Sequence, residues 1–69
     1  MALNLQYNFA EVDLETGMCV GVITSSDDQS SETMIPIPVY DENYLFKYYI
    51  DGNWYEDEAG TIPWTSSLL

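Results

Sequence analysis

The sequence predicts a small, mostly β domain in which two antiparallel hairpins form a small sheet, with one short helical turn between them. Three observations indicate this class. Apolar and polar residues alternate near the N-terminus, a β-branched run follows a glycine turn, and an Asp-Gly pair lies between aromatic residues further along. A small α+β fold is the alternative. A chain of 69 residues supports one domain, predicted to span residues 1–69.

The first hairpin is predicted from the N-terminal third of the chain. Residues 5–12 alternate with a period of two and have one strongly apolar face, as in a half-buried strand. Residues 13–17 are typical of a turn, because aspartate can bond its own backbone and glycine tolerates positive φ. Residues 18–23 are β-branched and apolar enough for a second strand, in which Gly21 predicts a bulge or a close neighbour.

A loop and an edge segment are predicted next. Residues 24–33 contain no apolar side chain, which predicts a mobile loop. Residues 34–40 return to an extended apolar pattern, but Pro36 and Pro38 remove two backbone donors from the same side of the strand. This segment is therefore expected at the edge of the sheet, or beside it in polyproline geometry.

The second hairpin follows a short helical turn. Asp41 is a suitable N-cap for residues 42–47, which are too few for a stable isolated helix. Residues 48–55 carry the strongest hairpin signal, because Asp51-Gly52 supplies the positive φ values of a two-residue turn. The remaining segments are predicted as a turn, a return across the sheet and a frayed tail, at residues 56–60, 61–64 and 65–69.

The charge balance limits the functions that are open to this protein. Twelve carboxylates stand against one lysine, Lys47, with no arginine or histidine, for a formal net charge of −11. Nucleic acids, phosphorylated ligands and anionic membranes are held mainly by basic side chains, so direct binding of any of them is not expected. A basic protein is the expected partner. Assembly with such a partner, or with copies of this chain, would offset the self-repulsion of the carboxylates.

Residue types that support catalysis and metal binding are scarce. Without histidine the candidate bases are carboxylates, and a small domain leaves little room for a substrate cleft, so no enzymatic activity and no cofactor are expected. The single cysteine, Cys19, excludes an internal disulfide and is expected in the core. Oxygen ligands at positions 51, 53, 56 and 57 do not match the calcium-loop spacing, so no metal site is predicted.

Carboxylates are the first candidates for partner binding. Residues i and i+2 of a strand share a face, so Glu11, Asp13 and Glu15 would form a row of negative charge if the first strand extends that far. Glu56 and Glu58 would form another. Such charge can compete for the phosphate-binding groove of a DNA-binding protein, which is the DNA-mimic interpretation. The alternative is that the acids merely keep an aromatic domain soluble.

Aromatic residues are the second group of candidates. Seven tyrosines and tryptophans fall between positions 40 and 64, and both types are enriched at the centres of binding interfaces. The residues predicted to meet a partner are Tyr48, Trp54, Tyr55 and Trp64. Aromatic rings also suit carbohydrate stacking. The alternative is that they form the core of a very small domain.

Four short motifs occur together: Tyr7 with a Thr16-Gly17 turn, Ile-Pro-x-Tyr-Asp at residues 37–41, Lys47-Tyr48-Tyr49, and Asp-Gly-x-Trp-Tyr-Glu-Asp at residues 51–57. In these motifs, which span most of residues 5–64, the chain resembles small acidic tail-associated proteins and tail-fibre C-terminal modules of tailed bacteriophages of Gram-positive bacteria. The resemblance implies a phage-encoded structural or accessory component of the tail, docking through the hairpin around Trp54 and Tyr55.

Two functions are therefore expected, both non-enzymatic and both based on protein binding. The first is a tail-associated or virion-associated protein, and the alternative is an acidic DNA-mimic inhibitor of a host nucleic-acid-binding defence protein. Either role implies the host bacterial cytoplasm or the virion. Consistent with this, residues 1–7 lack the basic start and apolar run of a secretory signal, and no stretch approaches the roughly 20 apolar residues of a membrane helix.

Overall fold

The computed structural model describes residues 6–69, and the predicted first residue of the first strand, Leu5, lies outside the described residues. The elements are β1 (Tyr7–Val12), β2 (Cys19–Ser25), β3 (Met34–Ile37), a 3-10 turn (Glu42–Tyr44), β4 (Tyr48–Ile50) and β5 (Asn53–Tyr55). They form an antiparallel sheet in the order β2-β1-β3 and a two-stranded antiparallel sheet of β4 and β5. The predicted mostly β class is confirmed. None of the helices in the described part has the length and apolarity to cross a membrane.

The first hairpin turns at the predicted glycine. Gly17 has φ +78°, and its N–H donates to the carbonyl of Asp13 at 2.6 Å. The ladder between β1 and β2 contains one register shift, in which Val20 is the extra residue of a bulge. The bulge therefore adjoins Gly21, where an added Cβ would lie 3.4 Å from Glu11 Oε1.

β2 continues further than the sequence predicts. Thr24 and Ser25 still pair with β1, and the Thr24 hydroxyl donates to Asn8 Oδ1 at 3.0 Å. These polar residues extend β2 because the neighbouring strand, β1, provides hydrogen-bond partners for their backbone groups. The loop that follows starts two residues later than predicted, at residue 26.

β3 lies at the edge of its sheet, as predicted, but it ends at Ile37, so Pro36 is in the strand and Pro38 follows it. It pairs with β1 alone, and Pro36 lies opposite Phe9 in the register. Since an edge strand needs backbone donors on one side only, a residue without an N–H is tolerated there.

The second hairpin has the predicted turn. Asp51 and Gly52 adopt φ values of +50° and +84°, and the strands pair Tyr48 with Tyr55 and Tyr49 with Trp54. Residues 62–64 run along the free side of β5, where Tyr55 bridges Pro63.

Backbone hydrogen bonds join the two sheets. They link the beginning of β2 to the segment around β4: Tyr49 N–H to Gly17 O at 2.9 Å, Cys19 N–H to Lys47 O at 2.8 Å and Phe46 N–H to Cys19 O at 2.9 Å. A bridge between Met18 and Tyr48 completes this junction. Backbone pairing therefore continues from β3 through both hairpins to residues 62–64.

The core lies on one face of β1 and against the 3-10 turn. Its buried residues are Ala10, Val12, Cys19, Ile37 and Tyr44. Phe9 points to the other face of β1 and is also buried, with 1% of its surface exposed. The predicted core position of Cys19 is confirmed, and burial raises the pKa of its thiol.

Candidate functional site

An aromatic cluster connects the second hairpin to its neighbours. The cluster comprises Tyr44, Tyr49, Trp54 and Trp64. Tyr44 is 3% exposed and meets both indoles edge to face, with ring centroids 5.0 Å from Trp54 and 4.8 Å from Trp64. Tyr49 contacts Trp54 at 5.0 Å. Contacts of this kind contribute about 0.5–1.5 kcal/mol each beyond the area they bury, so the cluster stabilises this half of the molecule.

Local structure explains how these rings meet. Asp41 caps the 3-10 turn by accepting the N–H of Asn43 at 2.9 Å, and the turn carries Tyr44 into the core. Cross-strand partners share a face of a hairpin, so the Tyr49–Trp54 pair faces Tyr44. The backbone bond from Trp64 N–H to Trp54 O, 3.0 Å long, brings Trp64 to the same place.

The other two predicted aromatic residues lie on the opposite face of the hairpin. Tyr48 and Tyr55 are cross-strand partners and are half-buried. The turn after β5 packs here, since a Cβ added to Gly60 would lie 3.0 Å from Ile50 Cδ1 and 3.8 Å from the Tyr55 ring. The four aromatic candidates therefore divide between two faces instead of forming one surface.

An open cleft of about 250 Å³ lies beside the aromatic cluster. Tyr44, Trp54 and Trp64 line it, and Asn53 and Ser66 supply polar groups. We call it the aromatic cleft. It places two of the predicted aromatic residues, both half-buried, where an incoming group could contact them.

The lining residue Ser66 makes a buried hydrogen bond. Ser66 Oγ donates to Asp41 Oδ2 at 2.5 Å, and both residues are 4% exposed. This bond is the main reason that the pKa of Asp41 lies below its usual value; the Asn43 N–H and the charge of Lys47 act in the same direction. Residue 66 belongs to the segment predicted as a frayed tail, and this bond connects it to the 3-10 turn.

The only basic side chain of the chain lies against the same cluster. Lys47 Nζ is 4.9 Å from the ring centroid of Trp64, within the range of a cation–π contact. Its charge therefore acts inside the fold, on an indole and on Asp41.

The four predicted acidic residues are exposed, but neither predicted row forms along a strand. Glu11 is in β1, whereas Asp13 follows the end of that strand and accepts the N–H of Glu15 at 2.9 Å. Such a bond favours a turn over a continued strand, so the expected row is wrong. Glu56 and Glu58 likewise follow β5 in a bend and a turn.

Asp57 is used for structure. Its carboxylate accepts the N–H groups of Thr61 and Ile62, both at 2.9 Å, and the Thr61 hydroxyl. These bonds hold the pKa of Asp57 below its usual value. Within residues 6–69, no group of three or more histidine, cysteine, aspartate or glutamate side chains is arranged to hold a metal ion.

Phe46 is a candidate that sequence patterns did not reveal. Its side chain is 67% exposed and its φ is +69°, in the left-handed region that bulky residues rarely adopt. The position follows a helical turn, where glycine or asparagine is usual. The sequence places Phe46 inside the predicted helical turn at residues 42–47, whereas the turn ends at Tyr44 and leaves Phe46 beyond it.

Comparison with known proteins gives no assignment, because no family matches the sequence and no curated protein or solved structure is significantly similar to it.

Proposed function

We propose that this chain is a non-enzymatic module that binds a basic surface on a partner protein. The supporting observation is that ten of its twelve carboxylates are exposed: Glu11, Asp13, Glu15, Asp27, Asp28, Glu32, Glu42, Asp51, Glu56 and Glu58. The other two, Asp41 and Asp57, form the structural hydrogen bonds described above. Because Lys47 contacts an indole, the exposed carboxylates remain available to bind a partner.

The spacing of this charge favours a DNA-mimic inhibitor of a host nucleic-acid-binding protein. The molecule measures 46 × 25 × 17 Å, so ten exposed carboxylates over 46 Å correspond to one per about 4.6 Å. One strand of duplex DNA carries a charge about every 3.4 Å. A groove that accepts one phosphate backbone would therefore meet a comparable linear charge.

The motif resemblance supports the other candidate, a phage tail-associated structural or accessory protein. That role was expected to use the hairpin around Trp54 and Tyr55. Trp54 is engaged by Tyr44 and Tyr49, so docking there would use its half-exposed edge together with the opposite face at Tyr55.

Protein capture from bacterial lysate tests the proposal and separates the candidates. The bait is the tagged chain, washed at about 50 and about 500 mM salt, because charge-driven contacts weaken with ionic strength. One variant combines Glu11→Gln, Asp13→Asn, Glu56→Gln and Glu58→Gln. A control variant, equal in net charge, combines Glu15→Gln, Asp27→Asn, Glu32→Gln and Glu42→Gln.

A mimic captures a protein that high salt and added duplex DNA both release, and that both acidic variants bind more weakly than the wild-type chain does. A larger loss in the first variant locates the contact at its four substituted positions. A tail component keeps its partner in both acidic variants and loses it on Tyr55→Ala. Capture that neither salt nor any of these substitutions changes would contradict the proposed mode of binding.

A further inference from the structure

We propose that the aromatic cleft binds the guanidinium group of an arginine side chain. The inference rests on the proposed function, since the arginine would belong to the basic surface of the partner. It adds a specific contact to an interaction otherwise attributed to distributed charge.

The dimensions of the cleft suit one side chain. Its volume of about 250 Å³ is below the roughly 300–1,000 Å³ of sites for drug-sized molecules. The half-buried indoles of Trp54 and Trp64 supply aromatic surface, and Asn53 supplies an amide. A planar guanidinium can stack on a ring while its N–H groups bond an amide oxygen.

The cluster already holds a cation at one position. Lys47 Nζ lies 4.9 Å from the Trp64 centroid, which shows that this indole is electrostatically suited to a positive group. Lys47 is not among the residues that line the cleft. Trp64 itself lines the cleft and is half-buried, so part of this side chain is exposed there.

Charges around the cleft favour a cation over other ligands. Two carboxylates lie near it: the buried Asp41, which is hydrogen-bonded to the lining residue Ser66, and the exposed Asp51, which adjoins the lining residue Gly52. An anionic ligand would meet a net charge of −11, whereas a neutral sugar would gain nothing from it. Arginine is preferred to lysine because the guanidinium is more weakly hydrated and stacks on aromatic faces.

The tryptophan indoles provide a direct readout. The chain has two tryptophans, and both line the cleft, so each of the two indole N–H cross-peaks in an NMR spectrum reports on it. The probe is N-acetyl-arginine amide, titrated at constant ionic strength. N-acetyl-citrulline amide matches its shape without the charge, and N-acetyl-lysine amide matches its charge without the planar group.

Arginine amide is expected to shift both indole cross-peaks with a dissociation constant in the roughly millimolar range, at least about fivefold tighter than either control. In Trp64→Leu the remaining Trp54 cross-peak should no longer shift. Equal shifts with all three compounds, or no shift with arginine amide, would overturn the inference. The comparison of the three compounds needs only the wild-type chain, so it does not depend on whether Trp64→Leu folds.

Failure here is distinguishable from failure of the proposed function. If the lysate partner is captured in a salt-dependent way but arginine amide leaves the indoles unchanged, the arginine site is wrong and charge-driven binding stands. If arginine amide binds and no basic protein is captured, the cleft is correctly assigned and the proposed function is wrong.

Discussion

The three-stranded sheet and the aromatic hairpin are stabilised in different ways. In the sheet, β1 has six residues and pairs on both sides, and its buried side chains include Ala10 and Val12. In the hairpin, β4 and β5 have three residues each, and the main packing contacts join aromatic rings. A two-stranded hairpin is marginally stable alone, so ring packing and bonds to β2 compensate for the short ladder.

Carboxylates also act differently in the two regions. In the aromatic half, Asp41 bonds Ser66, which lies 25 positions away, and Asp57 fixes the turn after β5. In the sheet half, Asp13 and Asp28 bond residues only two positions away. The long-range carboxylate bond, from Asp41 to Ser66, thus lies beside the aromatic cluster, whereas the carboxylate bonds in the sheet half are local.

The largest effect is expected on removing the central ring. Tyr44→Ala should lower the free energy of unfolding by about 3–5 kcal/mol, because both indoles lose their buried neighbour. The total for a chain of this length is roughly 3–10 kcal/mol, so the loss is a large fraction of it and the urea midpoint should fall sharply. Tyr40→Ala, at a residue 44% exposed, is the control and should cost under about 1 kcal/mol. Equal losses would contradict the central position of Tyr44.

A smaller effect is expected in the sheet. Ile37→Val removes one buried methylene from β3 and should lower the free energy of unfolding by about 0.5–1.5 kcal/mol. The same change at Ile62, which is 51% exposed, should stay within about 0.5 kcal/mol. Thermal unfolding of both variants tests this, and a larger loss at Ile62 would indicate that the core is misplaced.

Phe46 should behave unlike the other aromatic residues. Phe46→Asn relieves the left-handed backbone strain and removes little buried surface, so it should be neutral or stabilise the fold by up to about 1 kcal/mol. Leu45→Asn, at a neighbour packed on the core, should destabilise it. Denaturant midpoints measure both. A clear loss of stability in Phe46→Asn would show that its side chain is held by contacts rather than exposed.

The contribution of Asp41 should depend on pH. Its pKa is lower in the folded than in the unfolded state, so its ionised form stabilises the fold above the unfolded value and this stabilisation is lost as pH falls through the folded value. Asp41→Asn keeps the acceptor without the charge. The difference in Tm between wild type and variant should be present near pH 6 and vanish in strong acid. Glu42→Gln is the exposed control, and a difference that does not depend on pH would refute the role of the charge.

Local signals predicted much of the fold. Period-two alternation gave β1, the Asp51-Gly52 pair gave the second hairpin, and the prolines placed β3 at an edge. Each of these features acts within a few residues, so a sequence shows it directly. The predicted row of carboxylates along β1 is wrong for an equally local reason. The Asp13 carboxylate accepts the Glu15 N–H, and this bond forms a turn.

Contacts between distant residues could not be predicted in this way. The Asp41–Ser66 bond, the position of Trp64 against Tyr44 and the bridge between Met18 and Tyr48 depend on how separate segments meet. These contacts create the aromatic cleft. The sequence therefore indicated Trp54 and Trp64 as candidates without showing that they lie together, or that Tyr48 and Tyr55 lie on the opposite face.

The most direct test of charge-driven binding is the salt dependence of affinity for the protein captured from lysate. The dissociation constant should rise steeply between about 50 and about 500 mM salt, because exposed carboxylates are screened. The slope should be shallower when Glu11, Asp13, Glu56 and Glu58 are neutralised together. An affinity that does not change with salt would contradict binding through the acidic surface.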